Sequence, residues 1–127
     1  MITIIQTKPI KPVEIFIKFY NEALNSKQKN IEAICISSYD VKSSQVESRF
    51  VNLKYITDNQ WLFFSGYKGP KSIQFESHPQ ISGLFYWPNI DVQIRIKATI
   101  KKADPIFSDN HFKDRNRGKN ALAISSK

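Results

Sequence analysis

VQIRIKATIK, residues 92–101, alternates without a break: Val92, Ile94, Ile96, Ala98 and Ile100 are apolar, and Gln93, Arg95, Lys97, Thr99 and Lys101 are polar. Successive side chains on a strand point to opposite faces, so the run predicts a strand with one buried face and one wet face. Immediately before it, Ile81–Tyr86 reads as another strand, and Trp87-Pro88 through Gln93 forms an aromatic turn into the alternating run. A hairpin is the plain explanation of that turn. Further upstream, Trp61–Ser65, Val46–Ile56 and Ile31–Ser38 carry the β-branched and aromatic residues that favour strands. The polar stretch Tyr39–Ser44 suits the turn between the last two.

Two other segments have a different character. Pro12 fits a helix's first turn, and Val13, Phe16, Ile17, Tyr20 and Leu24 follow at helical spacing, predicting a helix that covers a core. Gly66 and Gly69-Pro70 mark a sharp break, after which Lys71–Ser77 is expected to form a short helix ended near Pro79. Beyond Ile106 the chain turns polar and basic, with Phe107 and Phe112 as its large apolar anchors. Residues 106–127 are therefore expected to be a basic helical or mobile C-terminal segment.

Long helical crossovers are missing, so the strands are expected to be antiparallel. The fold class that follows is predominantly β with peripheral helices, in a small barrel or curled sheet whose closure protects the strand edges. A chain of 127 residues, 41% hydrophobic and 13% aromatic, has the material for one core, and neither a repeat nor a low-complexity linker divides it. One domain over 1–127 is expected. Cys35 is the single cysteine, which excludes an intrachain disulfide and a cysteine metal cluster and fits a reducing, cytoplasmic compartment. The N-terminus lacks the basic region and cleavage pattern of a signal peptide, and no apolar run reaches the roughly 18 residues of a membrane span.

The formal charge of +8 favours anionic partners, although it serves plain solubility equally well. GxGxxG, P-loop and HExxH patterns are absent, and His78 and His111 are the only histidines, so triad hydrolases and zinc sites have little support. His78, before Pro79 at an expected helix end, suits a cap or surface role. Three places hold more interest. In Arg49-Phe50-Val51-Asn52-Leu53-Lys54 two cations punctuate an apolar strand, which ordinary alternation also explains. In Ser65-Gly66-Tyr67-Lys68-Gly69-Pro70-Lys71 a strand end, a glycine turn and a lysine could offer a hydroxyl, backbone N–H groups and a helix start to a phosphate. The third place is the turn from Trp87 to Gln93.

Taken in order, these places resemble the pyridoxamine 5′-phosphate oxidase family, whose members bind flavin mononucleotide (FMN) in a split β-barrel. The family's Arg-x-Val-Leu-Leu-Lys strand resembles Arg49–Lys54, its aromatic-Tyr-Thr strand end Phe63-Phe64-Ser65, and its Ser-Arg-Lys turn Gly69-Pro70-Lys71. Its Asn-Pro corresponds to His78-Pro79, and its Phe-x-Trp with Arg-Gln-Val resembles Phe85-Tyr86-Trp87 with Val92-Gln93-Ile94. The likeness runs from about Pro12 to Lys127. It implies that Arg49 and Lys71 grip the flavin phosphate, with Phe50 and Val51 beside Arg49. Ser65 would bond near the phosphate, Phe64 would make backbone contacts, and Gln93 would address the isoalloxazine ring. Arginine's planar fork, lysine's compact charge and glutamine's amide suit those tasks.

The substrate-phosphate group of the family, a Lys, Tyr, Arg and Ser, falls on Lys54, His111, Arg115 and Lys119, so two of the four residue types are kept. Pro70 stands where the family usually has a second phosphate-binding arginine. Strands bearing a flavin-contacting Gln-Ser, a Trp and an Arg-x-His follow in the family beyond the point matching Lys127. The resemblance implies an FMN-binding oxidoreductase-like protein acting on or binding a small phosphorylated molecule, and a homodimer with the flavin site at the interface. Efficient pyridoxamine 5′-phosphate oxidation is not expected. A non-catalytic flavin or B6-phosphate binder fits the same scaffold, and single-stranded nucleic acid binding rests only on positive charge with aromatics such as Trp61 and Tyr67. Arg49 and Lys54, five positions apart, should face opposite sides of a regular strand. Serving neighbouring sites would require twist, a bulge or a partner subunit.

Overall fold

A computed structural model describes residues 1–5, 11–57, 60–66, 77–102 and 119–126. In chain order the elements are β1 (Thr3–Ile5), α1 (Lys11–Asn25), β2 (Ala33–Asp40), β3 (Gln45–Thr57), β4 (Trp61–Gly66), β5 (Gln80–Trp87), β6 (Val92–Lys102) and β7 (Lys119–Ser126). The sheet order is β1-β3-β2-β5-β6-β7-β4, and β4 returns to pair with β3. Six antiparallel strands thus close into a barrel, with β1 added in parallel outside β3 through Thr3↔Tyr55 to Ile5↔Thr57. Closure is the answer to the edge problem that the strand-rich sequence posed.

The alternating run 92–101 lies within β6, with Ala98 and Ile100 buried and Gln93, Arg95 and Lys97 exposed. Its hairpin partner is β5, registered from Trp87↔Val92 to Gln80↔Thr99. Between them Pro88–Ile90 makes a single 3-10 turn that ends on Asp91 in the left-handed region. Ile81, Gly83, Phe85 and Trp87 face inward along β5. Gly83 leaves the room that Ile34 occupies: a Cβ there would stand 2.8 Å from Ile34 Cδ1.

Helix α1 buries Val13, Phe16, Tyr20 and Ala23, a stripe spaced at three and four residues. Phe16 is its anchor, with ring centroids 4.6 Å from Trp61, 5.2 Å from Phe85 and 5.6 Å from Trp87. The helix ends as Lys27 adopts φ 60° and Gln28 donates its N–H to Ala23 O at 3.1 Å. That 6→1 bond stops a helix even without glycine. Two buried polar groups find partners near this plug. Trp87 Nε1 donates to Ile31 O at 3.0 Å, and the Tyr20 hydroxyl accepts the Ile2 N–H at 2.8 Å. Burial pushes the Tyr20 phenol above its ordinary range, the bond from Ile2 pulls the other way, and the Glu32 carboxylate adds to the rise.

The expectation for residues 106–127 is corrected at its end, because Lys119–Ser126 is neither helical nor a loose tail but a barrel strand. It pairs with β4 from Trp61↔Ile124 to Gly66↔Lys119 and with β6 from Ala98↔Ser126 to Lys102↔Leu122. The physical reason is that β4 and β6 each need a second partner, and Ile124, 2% exposed, supplies a core residue. Residues 106–118 and the helix expected over Lys71–Ser77, up to residue 76, lie outside the described residues. Strand β1 was not foreseen; three residues are too few for a periodicity. Among the described residues, no helix is long and apolar enough to cross a membrane, and no three His, Cys, Asp or Glu side chains gather to hold a metal ion.

Candidate functional site

The barrel wall splits between β3 and β4. Their ladder runs Ile56↔Trp61, Tyr55↔Leu62 and Leu53↔Phe63, and among the described residues it ends there. From Asn52 back to Gln45, β3 follows β2, while Phe64, Ser65 and Gly66 of β4 follow β7. Among the described residues the two strands therefore part beyond Leu53 and Phe63, and neither pairs with the other there. Backbone N–H groups on unpaired strand edges are ready donors for an anion.

Arg49 lies on the stretch of β3 that has parted from β4. Glu47, Arg49, Val51 and Leu53 share one face of β3, and Leu53 is fully buried, so the arginine points to the inner side of the wall. Opposite it on β2, Ile34, Ile36 and Ser38 form the inward set, and Arg49 Nη1 donates to Ser38 Oγ at 3.2 Å. Nη2 lies 3.6 Å from Glu47 Oε2, with the arginine side chain 15% exposed and the glutamate 45% exposed. A guanidinium held by packing and by a buried hydroxyl is already oriented before any ligand arrives, which lowers the ordering cost of binding. The donor set fits a phosphate: a planar cation held on an inner strand face, with the Glu47 carboxylate close by.

Around this centre the residues singled out in the sequence fall into three groups. Val51 is half-buried on Arg49's face, whereas Phe50 is 74% exposed on the other. Phe64 and Ser65 lie in β4 on the far lip of the split, and Lys119 opens β7 opposite Gly66; these are backbone placements only. Lys71, His111 and Arg115 lie outside the described residues.

Gln93 is not brought to Arg49, and Lys54 stands at a break in the strand. The β3–β4 register shifts between Leu53 and Tyr55, making half-buried Lys54 the extra residue of a bulge. Alternation is regular from Arg49 to Leu53, and the bulge at Lys54 then breaks the parity that would set Lys54 on the face opposite Arg49. Gln93 is exposed on the outer side of β6. Strands β2 and β5 stand between β3 and β6, and the residue of β6 in register with Arg49 is Ile96, so Gln93 lies three strand spacings, roughly 14 Å, around the wall and three residues further along it. His78 rests edge-on against Tyr39, centroids 5.5 Å apart.

Sequence reasoning missed Ser38 and Glu47. Ser38 was legible in principle, since it continues the Ile34, Ile36 inward parity, and a buried hydroxyl needs a partner. It also missed a groove of about 1040 Å³ between α1 and β6, lined by Phe16, Phe19, Trp61, Ile94 and Gln93 among others. No single element reveals a groove that two distant elements make.

Comparison with known proteins agrees with this architecture. No family profile matches the chain. A pyridoxine/pyridoxamine 5′-phosphate oxidase of Leptospira interrogans is 28% identical over 115 residues, covering 91% of this chain and 53% of that protein. The chain thus spans about half the length of that curated relative. Among solved structures, PhzG of Burkholderia lata, in complex with tetrahydrophenazine-1-carboxylic acid, superposes with a TM-score of 0.74 at 18% identity, covering 85% of this chain and 53% of that one. A pyridoxamine 5′-phosphate oxidase-related, FMN-binding protein of Nostoc punctiforme gives 0.71 at 12% identity, covering 93% and 82%. The chain is a relative of the pyridoxine/pyridoxamine 5′-phosphate oxidases and has the split-barrel fold of these structures.

Proposed function

We propose that this relative of the pyridoxine/pyridoxamine 5′-phosphate oxidases binds FMN by its phosphate at the β3–β4 split and serves as an oxidoreductase-like protein for a small phosphorylated molecule. One observation carries the reading: Arg49 is held on the inner face of β3, beside the place where β3 and β4 part. The phosphate takes Arg49 and the edge of Phe64–Ser65, with Val51 packing beside it and Phe50 contributing backbone; Lys71 supplies a second cation. Bound flavin would supply the redox chemistry, and the chain's residues would orient it.

Gln93 faces away from Arg49 in one barrel, so its contact with the ring system comes from a second copy. The protein is accordingly a homodimer with the site at the interface. The second copy docks on the outer face, where Phe50 and Tyr86, 74% and 55% exposed, flank Cys35 and Leu84 on neighbouring strands. Exposed aromatics grouped on a sheet face are the usual anchors of such contacts. Lys54, His111, Arg115 and Lys119 form the substrate-phosphate group. A reducing, cytoplasmic setting suits the free Cys35.

The test is a titration with FMN and riboflavin, followed by flavin fluorescence. FMN is expected to bind more tightly by roughly 1.5–3 kcal/mol per phosphate contact. Equal affinities overturn the phosphate-anchored site. A second reading, a flavin or B6-phosphate binder without turnover, is supported by the incomplete substrate-phosphate group, in which His111 and Lys119 stand where the family has Tyr and Ser, since catalysis depends on reactants held together. Hydrogen peroxide and pyridoxal phosphate formation from pyridoxamine 5′-phosphate, with saturating FMN, separates the two. Efficient turnover is not expected, and its appearance rejects the binder.

A further inference from the structure

Arg49 meets two side chains that share one rung of the β2–β3 ladder. Its own register partner is Ile36, whereas Ser38 stands opposite Glu47, so the guanidinium reaches one rung past its backbone toward the β2–β3 turn. The two contacts are of different kinds. Nη1 donates at 3.2 Å to the hydroxyl of Ser38, a residue 3% exposed and packed in the wall. Nη2 and Glu47 Oε2 are 3.6 Å apart, too far for a hydrogen bond, and the glutamate side chain is 45% exposed. Such a half-solvated pair is weak, because water serves the carboxylate almost as well as the guanidinium does. Glu47 can turn out to solvent by rotating its own side chain, with β3 unchanged. Asp40, the next β2 residue of Ser38's parity, is engaged elsewhere: it accepts the Lys42 N–H at 3.1 Å and the Ser43 hydroxyl at 2.9 Å.

We propose that Glu47 is a built-in competitor for the anion site: its carboxylate stands at Nη2 in the free chain and gives way to a phosphomonoester, while Ser38 keeps Nη1. The inference rests on the reading of Arg49 as the flavin-phosphate anchor and adds to it a means of selection. A carboxylate carries one charge. A phosphomonoester carries a charge of about −1.5 to −2 near pH 7 and presents three acceptor oxygens to a planar fork, so it outcompetes the carboxylate. A singly charged anion gains little by the exchange, and a flavin without phosphate makes none. Turning Glu47 out loses its attraction to Arg49, and that loss falls on phosphorylated ligands alone.

Flavin fluorescence titrations of FMN and riboflavin, against the full chain, Glu47→Gln, Arg49→Met and the double variant, test this as a double-mutant cycle. Glu47→Gln keeps the side chain's shape and removes its charge at a half-solvated position, and a thermal melt verifies the fold; Glu47→Ala serves as a second variant. Glu47→Gln should bind FMN about three- to fivefold more tightly and riboflavin as before. That gain should vanish in the Arg49→Met background, where the guanidinium competed for is gone. FMN bound no more tightly by either Glu47 variant overturns the competitor, and weaker binding would make Glu47 part of the ligand's cradle. A gain that persists without Arg49 overturns the shared guanidinium in favour of direct repulsion between carboxylate and phosphate. All of these results leave the flavin site standing. Equal affinity of the unaltered chain for FMN and riboflavin is a different failure, since it removes the phosphate anchor and the competitor with it.

Discussion

Replacing Arg49 by methionine separates a phosphate anchor from a structural residue. In the folded chain the guanidinium gives a charged hydrogen bond to Ser38 and a looser ion pair to Glu47. The first is worth about 1.5–3 kcal/mol, and the second, with its carboxylate 45% exposed, less than about 1. Methionine fills most of the same length with apolar surface and recovers about 1–2 kcal/mol of this by burial. Arg49→Met should therefore stay folded, with stability reduced by about 1 kcal/mol, a few degrees in melting temperature. For FMN the loss is one charge-assisted contact, about 1.5–3 kcal/mol, or roughly 10- to 150-fold in affinity. Riboflavin has no phosphate and should change by less than about twofold. Parallel flavin fluorescence titrations and a thermal melt read all three quantities. Equal weakening of both flavins would mean that Arg49 acts by shaping the barrel, and an unchanged FMN affinity would remove it from the site.

Trp87→Phe should cost about 2–4 kcal/mol in urea unfolding, since it strips the Nε1 donor from Ile31 O and thins the contact with Phe16; a loss under about 1 kcal/mol contradicts the packing described. The raised phenol of Tyr20 makes a pH prediction: its contribution is fully present below the unfolded phenol's value near 10 and is lost as pH rises from there through the higher folded value. Stability measured across that range should fall more steeply than in Tyr20→Phe, and parallel slopes exclude the linkage. For assembly, sedimentation should show a dimer that FMN tightens and Phe50→Ser weakens; a monomer with full FMN affinity rejects the shared site.

Much of the barrel could be read from the chain because its central strands obey simple parity. Val92–Ile100 and Ile81–Trp87 each show one face outright, and Val13, Phe16 and Tyr20 announce the helix that plugs them. Residues 119–126 resist the same treatment. Lys-Asn-Ala-Leu-Ala-Ile-Ser-Ser mixes small and polar residues, and only pairing on both sides makes it a strand. For the site, the sequence supplies Arg49 as a cation in an apolar run but not its setting. The split depends on where β4 leaves β3 for β7, which no local pattern encodes. The bulge is equally hidden: Lys54 reads as the next step of a regular strand, and only the register with Leu62 and Phe63 shows it as extra.

The order in which the barrel is assembled has a cost during synthesis. Strand β7 closes the wall by joining Trp61 to Ile124 and Ile100 to Ile124, contacts between residues far apart in the chain. Such contacts form slowly, and here they also require β7 to be made. Until residues 119–126 have emerged, β4 and the far end of β6 are unfinished edges of an open sheet, presenting Leu62, Phe63 and Ile100 that closure buries. A nascent chain in that state is a template for pairing with its neighbours, and the interval before β7 docks is when aggregation and chaperone capture compete with folding.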